Sequence, residues 1–240
     1  MKKIHGNSVD CVITSPPYNM RLRVLNNKYI TRENTDSKSR EVQFITRKYS
    51  EFDDAFSIED YYEFHKKAIK EMLRVSHIVF YVISIVTGSK EALFKLIGHF
   101  NKEIKDIVIW DKGFGQPAIH GSILNRGYEF VIILESNAKL GRAFSKSYFA
   151  RGTMQDIWRI GRSKSKEGHN ACFPEELVST ILKGWTKEGD MVLDPFAGTG
   201  TTGIMCKSMN RNFILIEKQQ KYVDLINKRL GEVRCQQTMI

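Results

Sequence analysis

Leu193-Asp194-Pro195-Phe196-Ala197-Gly198-Thr199-Gly200-Thr201-Thr202-Gly203 joins a short apolar run, Met191–Asp194, to a segment of helical character, Thr201–Met209. Glycines at 198 and 200 let the backbone turn sharply and admit a ligand where a side chain would block it. Seventeen residues beyond Gly200, a second apolar run, Asn212–Glu217, ends in an acid. In nucleotide-binding α/β folds an acid at that point accepts hydrogen bonds from ribose hydroxyls, so Glu217 is a candidate ribose ligand. A dinucleotide fingerprint fits less well, because Pro-Phe-Ala separates the strand from the first glycine. A helix N-terminus greets a carboxylate as readily as a pyrophosphate. The loop by itself predicts an adenosine-containing cofactor and no more.

Working outward, further apolar runs read as strands over Val9–Thr14, Ile78–Ile83, Asp106–Trp110 and Glu129–Leu134. Their continuous Val/Ile/Leu content suits a sheet covered on both faces. Helical patterns alternate with them at Ile58–Val75, after the candidate N-cap Ser57, at Glu175–Lys183 just past Pro174, and at Lys221–Leu230. Strand–helix alternation predicts an α/β, doubly wound, mostly parallel sheet.

Composition narrows the class. The longest apolar stretch, Ile78–Val86, falls far short of the ~20 residues that span a bilayer, and the N-terminus lacks the apolar core of a signal peptide. A soluble, cytoplasmic protein with no membrane partner is expected. Cys11, Cys172, Cys206 and Cys235 form no C-x-x-C pair, so they read as reduced thiols and no metal site is expected. Against 27 Asp+Glu stand 37 Lys+Arg, a formal charge of +10 that favours polyanionic partners. The surplus is focused. Residues 20–48 carry eight basic and three acidic side chains, and residues 138–167 carry eight and two. The second stretch interleaves its charges, Arg142, Lys146, Arg151, Arg159 and Arg162 among them, with Phe144, Tyr148, Phe149 and Trp158. That pattern describes a nucleic-acid-facing surface.

Ser15-Pro16-Pro17-Tyr18-Asn19 follows the strand Val9–Thr14. Two prolines stiffen the chain just beyond a sheet's carboxyl edge, where ligands bind in such folds. The Ser15 hydroxyl and the Pro16 carbonyl are candidate acceptors for an amino group, and Pro17, lacking an N–H, adds no competing donor. Tyr18 offers a flat face on which a base can stack.

TSPPYN at 14–19 together with LDPFAGTGTT at 193–202 resembles the S-adenosylmethionine-dependent amino-methyltransferases of DNA. The order, catalytic loop first and cofactor loop last, resembles their β class, whose Rossmann-like motifs run in circularly permuted order. Trp110, the run Asn125–Glu129, HNACFPEEL at 169–177 and Tyr222…Arg229-Leu230 resemble further blocks of that family, in order and along nearly the whole chain. The resemblance implies S-adenosyl-L-methionine held by Asp194, Phe196, Ala197, Gly198, Thr199, Gly200 and Thr201, with Glu217 on its ribose. His169 and Asn170 would close over its methionine end. Ser15, Pro16, Pro17 and Tyr18 would hold a target base flipped out of double-stranded DNA, with Asn19 beside it.

Residues 138–167 stand where the β class carries its target-recognition segment, which leaves 1–137 and 168–240 as the catalytic and cofactor-binding domain. A homodimer and a cognate restriction endonuclease are further expectations of the resemblance. One departure is the passage from Ile4-His5-Gly6 directly to Asn7-Ser8-Val9-Asp10. The family's usual acid after that glycine, and a turn or more of helix that covers the adenine, are missing, which implies a weaker grip on the cofactor. Ser before Pro-Pro-Tyr is commoner among cytosine N4 enzymes, and Asp or Asn among adenine N6 enzymes. Cytosine N4 is therefore expected ahead of adenine N6. An RNA methyltransferase and a non-catalytic DNA-binding relic are the competing classes.

Overall fold

The computed structural model describes residues 1–19, 22–25, 28–31, 56–86, 88–115, 122, 124–139, 141–163 and 174–233. They form two compact units, one of residues 1–16, 69–83 and 102–240, the other of 17–68 and 84–101.

The first unit is built on a seven-stranded sheet ordered β7-β5-β6-β4-β1-β8-β9. Its strands are β1 (Cys11–Thr14), β4 (Ile78–Ile83), β5 (Ile104–Asp111), β6 (Tyr128–Glu135), β7 (Ile157–Arg159), β8 (Met191–Asp194) and β9 (Asn212–Leu215). Six of these share one direction, and β6 runs antiparallel to both β4 and β5. The mostly parallel sheet expected from the sequence is thus present, with one reversed strand. Every residue of β4 is buried, which is why it reads as an unbroken apolar run.

Three helices belong wholly to this unit: α3 (Glu175–Trp185), α4 (Thr201–Ser208) and α5 (Gln220–Glu232). On α3, Leu177, Val178, Ile181, Leu182 and Trp185 form one buried stripe at helical spacing. Acids fill its first turn and Lys183 its last, in the sense the helix dipole favours. That stripe joins Cys11, Ile13, Phe80, Val108, Trp110 and Val131 in the main core.

The second unit holds a two-stranded antiparallel hairpin, β2 (Leu22–Leu25) with β3 (Lys28–Thr31), and the helix α2 (Lys90–His99). It also contains the first part of α1 (Ile58–Val75), whose residues from Ile69 onward belong to the first unit. Ser57 caps α1 as expected: its hydroxyl accepts from the Asp60 N–H at 3.1 Å and donates to the Asp60 carboxylate at 2.7 Å.

Within the basic stretch, residues 139, 141 and 145 are bonded to strands β5 and β6. Lys105 Nζ donates to the carbonyls of Lys139 and Gly141, and the Glu135 carboxylate accepts from both the backbone N–H and the hydroxyl of Ser145. Phe144, Phe149 and Trp158, expected to face nucleic acid, instead surround Trp185, with ring centroids 5.3, 5.0 and 6.3 Å away. This corrects the sequence reading. The aromatic rings are needed to cover the outer side of the α3 core, and a few of them at one edge serve the fold before any ligand.

No helix among the described residues is long and apolar enough to cross a membrane. Cys11 and Cys206 are buried free thiols, and Cys172 and Cys235 lie outside the described residues.

Candidate active site

Strands β1 and β8 are parallel neighbours, with Cys11 beside Val192 and Val12 beside Leu193, so their carboxyl ends emerge side by side. There the Thr14 hydroxyl donates to Asp194 Oδ1 at 2.7 Å. Thr202, in the first turn of α4, donates to Asp194 Oδ2 at 2.7 Å, and the Phe196 N–H reaches Oδ1 at 3.1 Å. Thr14, Asp194 and Thr202 are all buried. Ser15 follows Thr14 directly, so the loop that begins with it and the glycine loop start from one edge of one sheet.

Burial pushes the Asp194 carboxyl up to about 6, against the pull of its hydrogen bonds from Thr202, Thr14 and Phe196, and the nearby Glu217 charge adds to the rise. Through these bonds Asp194 joins the end of β1, which leads into Ser15, to the glycine loop and the first turn of α4.

The glycine loop itself is tightly netted. The Ala197 N–H bonds the Ile216 carbonyl at 3.0 Å and the Gly200 N–H the Ala197 carbonyl at 2.8 Å. Gly198 and Gly200 both take left-handed backbone angles, φ 51° and 78°. A Cβ on Gly198 would meet nothing nearer than the Phe196 carbonyl at 4.0 Å, so open space lies beside it for a ligand to approach. Glu217, just past β9, accepts from the Gly198 N–H at 2.9 Å and the Gln219 N–H at 2.8 Å. Two bonds leave a carboxylate further acceptor positions. The expected ribose acid thus stands beside the glycine loop and also braces it. Arg229 on α5 donates to the Thr199 carbonyl, a contact that gives the C-terminal helix a share in the loop's shape.

In the second unit, the Pro17 carbonyl accepts from the Tyr61 hydroxyl at 2.9 Å and the Tyr18 carbonyl from the Ser89 hydroxyl at 3.3 Å. Asn19 is fully buried and spends its amide on Phe56, donating to the carbonyl at 3.0 Å and accepting from the N–H at 2.8 Å. A side chain paired twice to backbone is a clamp between residues 19 and 56.

The basic candidates divide. Asp10 and Asp190 precede β1 and β8, at the amino edge of the sheet, and Lys146 pairs with them at 3.3 and 3.6 Å. Arg142, highly exposed, stands 4.0 Å from Asp106 near the start of β5, at that same edge. Neither is brought to the carboxyl edge that holds Ser15. Arg159, at the end of β7 beside Asp111, is carried to that edge, and Arg162 follows it; Arg151 lies in an exposed turn. His169 and Asn170 lie outside the described residues.

The profile of the DNA methylase family, covering N6 and N4 enzymes, matches residues 9–228. The chain belongs to this family of DNA amino-methyltransferases. Among relatives of the methyltransferase, the Type II methyltransferase M.HinfI of Haemophilus influenzae is 28% identical over 98% of this chain, which spans 66% of that protein's length. M2.DpnII of Streptococcus pneumoniae is 27% identical over 96% of this chain and 85% of its own. The cytosine-N4-specific PvuII DNA methyltransferase shares the fold, with a TM-score of 0.65 and 14% identity over 96% of this chain and 88% of that one.

Within the methyltransferase's glycine loop, Gly200 is the tightest point. A Cβ there would lie 2.7 Å from Ile226 Cγ1, on a backbone that L-residues avoid. Gly200→Ala is expected to cost about 2–3 kcal/mol, a drop in Tm of roughly 5–10 °C, and to weaken cofactor binding in parallel. Thermal unfolding and cofactor titration read the two effects. Sequence reasoning does not single out Tyr61, His65, Ser89 and Arg229, since each acts through a partner distant in the chain, nor Thr202, whose bond to Asp194 eight residues earlier depends on the fold of the glycine loop.

Proposed function

We propose that the chain transfers a methyl group from S-adenosylmethionine to an exocyclic amino group of a base in double-stranded DNA, cytosine N4 ahead of adenine N6. What supports the reading is the Thr14–Asp194 bond of 2.7 Å, which joins the strand leading into Ser15 to the strand leading into Gly198. The open space beside Gly198, the positive φ at Gly198 and Gly200 and the acid at Glu217 fit an adenosine-containing cofactor with an amino-acid end. Bound there, S-adenosylmethionine supplies a methyl group made electrophilic by its sulfonium.

The protein's part is to hold the amine. An exocyclic amine is a weak nucleophile because its lone pair is delocalised into the ring. Ser15 and the Pro16 carbonyl accept its hydrogen bonds, which favours a tetrahedral nitrogen with a more available pair. Positioning then supplies much of the rate. Tyr18 stacks on the flipped base, and solvent takes the proton afterwards. Of the basic residues in 138–167, Arg159 and Arg162 are the ones we assign to DNA, since they stand at or follow the carboxyl edge. The relatives' Type II names support a restriction–modification setting with a partner endonuclease.

Incubation with unmethylated plasmid and cofactor, digestion to nucleosides and mass identification tests the reading. N4-methylcytosine is the expected product. N6-methyladenine would overturn the finer choice alone, and methylation of RNA but not DNA would overturn the substrate class.

A further inference from the structure

We propose that Tyr61 and His65 are positioning residues: by holding the Pro17 carbonyl they fix the backbone that carries the next residue, Tyr18, and so aim its ring at the target base. The proposal rests on the reading that Ser15, Pro16 and Tyr18 hold the target base.

Tyr61 and His65 stand four residues apart on α1, so they share one helix face. Their rings lie 4.0 Å apart, centroid to centroid, and both are buried. The Tyr61 hydroxyl donates to the Pro17 carbonyl at 2.9 Å. His65 is also hydrogen-bonded to the Pro17 backbone. Because a proline has no N–H, its only backbone partner is that same carbonyl, and the imidazole must be the donor. A carbonyl oxygen has two lone pairs, and two donors fill them. The Pro17 carbonyl is thus committed to α1.

The remaining contacts point the same way. Pro17, Tyr18 and Asn19 are each tied to a different place: Pro17 to α1, Tyr18 through its carbonyl to Ser89 at the start of α2, Asn19 through its side chain to Phe56. Two prolines already fix their own φ, so three anchors on the following residues leave the segment little freedom. Burial holds His65 at a pKa of about 3, which keeps the imidazole a neutral donor throughout the range in which an enzyme works. The arrangement costs the fold two buried polar side chains, and an apolar pair would fill that space with no such requirement.

The test uses the full chain, unmethylated plasmid DNA and labelled cofactor, with single-turnover and steady-state rates. Tyr61→Phe keeps the ring and removes one donor. It is expected to lower kcat about tenfold, with KM for the cofactor changed by less than about twofold. His65→Leu is expected to lose rate in the same way, and His65→Gln, which keeps an N–H donor, to regain part of it. Rates are referred to the folded fraction measured by circular dichroism, so a folding defect is not read as a catalytic one. A Tyr61→Phe enzyme with kcat within twofold of the parent would overturn the proposal, as would a His65→Gln enzyme no faster than His65→Leu. If Ser15→Ala is slow while Tyr61→Phe is not, only the positioning role fails. If Ser15→Ala is itself unimpaired, the reading beneath it fails.

Discussion

Replacing Ser15 by alanine is expected to lower kcat on DNA about a hundredfold while leaving KM for the cofactor nearly unchanged. The reasoning is geometric. Ser15 follows Thr14, whose hydroxyl is locked to the buried Asp194 carboxylate, so the acceptor it offers stands at a fixed point. As the amine attacks, its nitrogen gains positive charge and its N–H bonds become better donors. An acceptor that gains strength only as charge develops contributes to the transition state and little to the ground state, and its loss falls on kcat. Losses of ~10²–10³ follow removal of one preorganised group aimed at developing charge. Tyr18→Ala should lose roughly ten- to a hundredfold through base stacking worth ~1–3 kcal/mol, and Tyr18→Trp should restore much of it. Single-turnover methylation of plasmid DNA measures all three. A Ser15→Ala enzyme with near-normal turnover would remove the amine-holding scheme.

The second large effect is expected at Asp194. Asp194→Ala strands the Thr14 and Thr202 hydroxyls and the Phe196 N–H without their shared acceptor. At ~1–3 kcal/mol for each buried group left unsatisfied, partly offset by relief of a buried charge, a net loss of about 3–5 kcal/mol is expected. Asp194→Asn behaves differently. Its amide keeps the shape, can accept from one threonine and donate to the other, and carries no charge.

The carboxyl titrates at about 6 in the folded protein against 3.8 for a free aspartate, so between those values the folded state holds the proton more tightly than the unfolded chain. Stability from this group is complete below about pH 4 and is lost as the pH rises through about 6, a change of about 3 kcal/mol. Urea unfolding from pH 4 to pH 7.5 should show that fall in the parent and not in Asp194→Asn. Equal slopes in the two proteins would mean that Asp194 is ionised throughout.

Much of the sheet was legible because its central strands are buried on both faces. Ile78–Ile83 and Met191–Asp194 match to the residue, as does α1, where a cap and an apolar stripe agree. What was missed is short or depends on partners. β7 is three residues, Ile157-Trp158-Arg159, inside a basic stretch, and only its pairing with Ile109–Asp111 makes it a strand. α2 is ten residues with Ala92, Leu93 and Leu96 buried, and its pattern was overshadowed by the longer apolar run before it. The reversed direction of β6 leaves no mark in composition.

The two loops of the site were recognisable as loops, from prolines in one and glycines in the other. Their joint was not, because Thr14 and Asp194 are ordinary residues until a sheet sets them side by side. Aromatic residues misled for the same reason: a phenylalanine that covers Trp185 and one that stacks on a base look alike in one dimension. The surroundings of Lys146 were not legible either, since a positive charge in a basic stretch says nothing of the two aspartates that pair with it.

The place of β1 between β4 and β8 has a consequence for how the molecule is made. Its partner β4 leaves the ribosome some 65 residues after it, but β8 only after some 180. For most of synthesis, then, the strand that ends in the middle of the finished sheet is an outer one, with a row of unpaired backbone groups open to any passing extended chain. The bond between Thr14 and Asp194 can form only once β8 has been made. Nascent or truncated chains that stop short of Met191 should be prone to clump, whatever the stability of the completed enzyme.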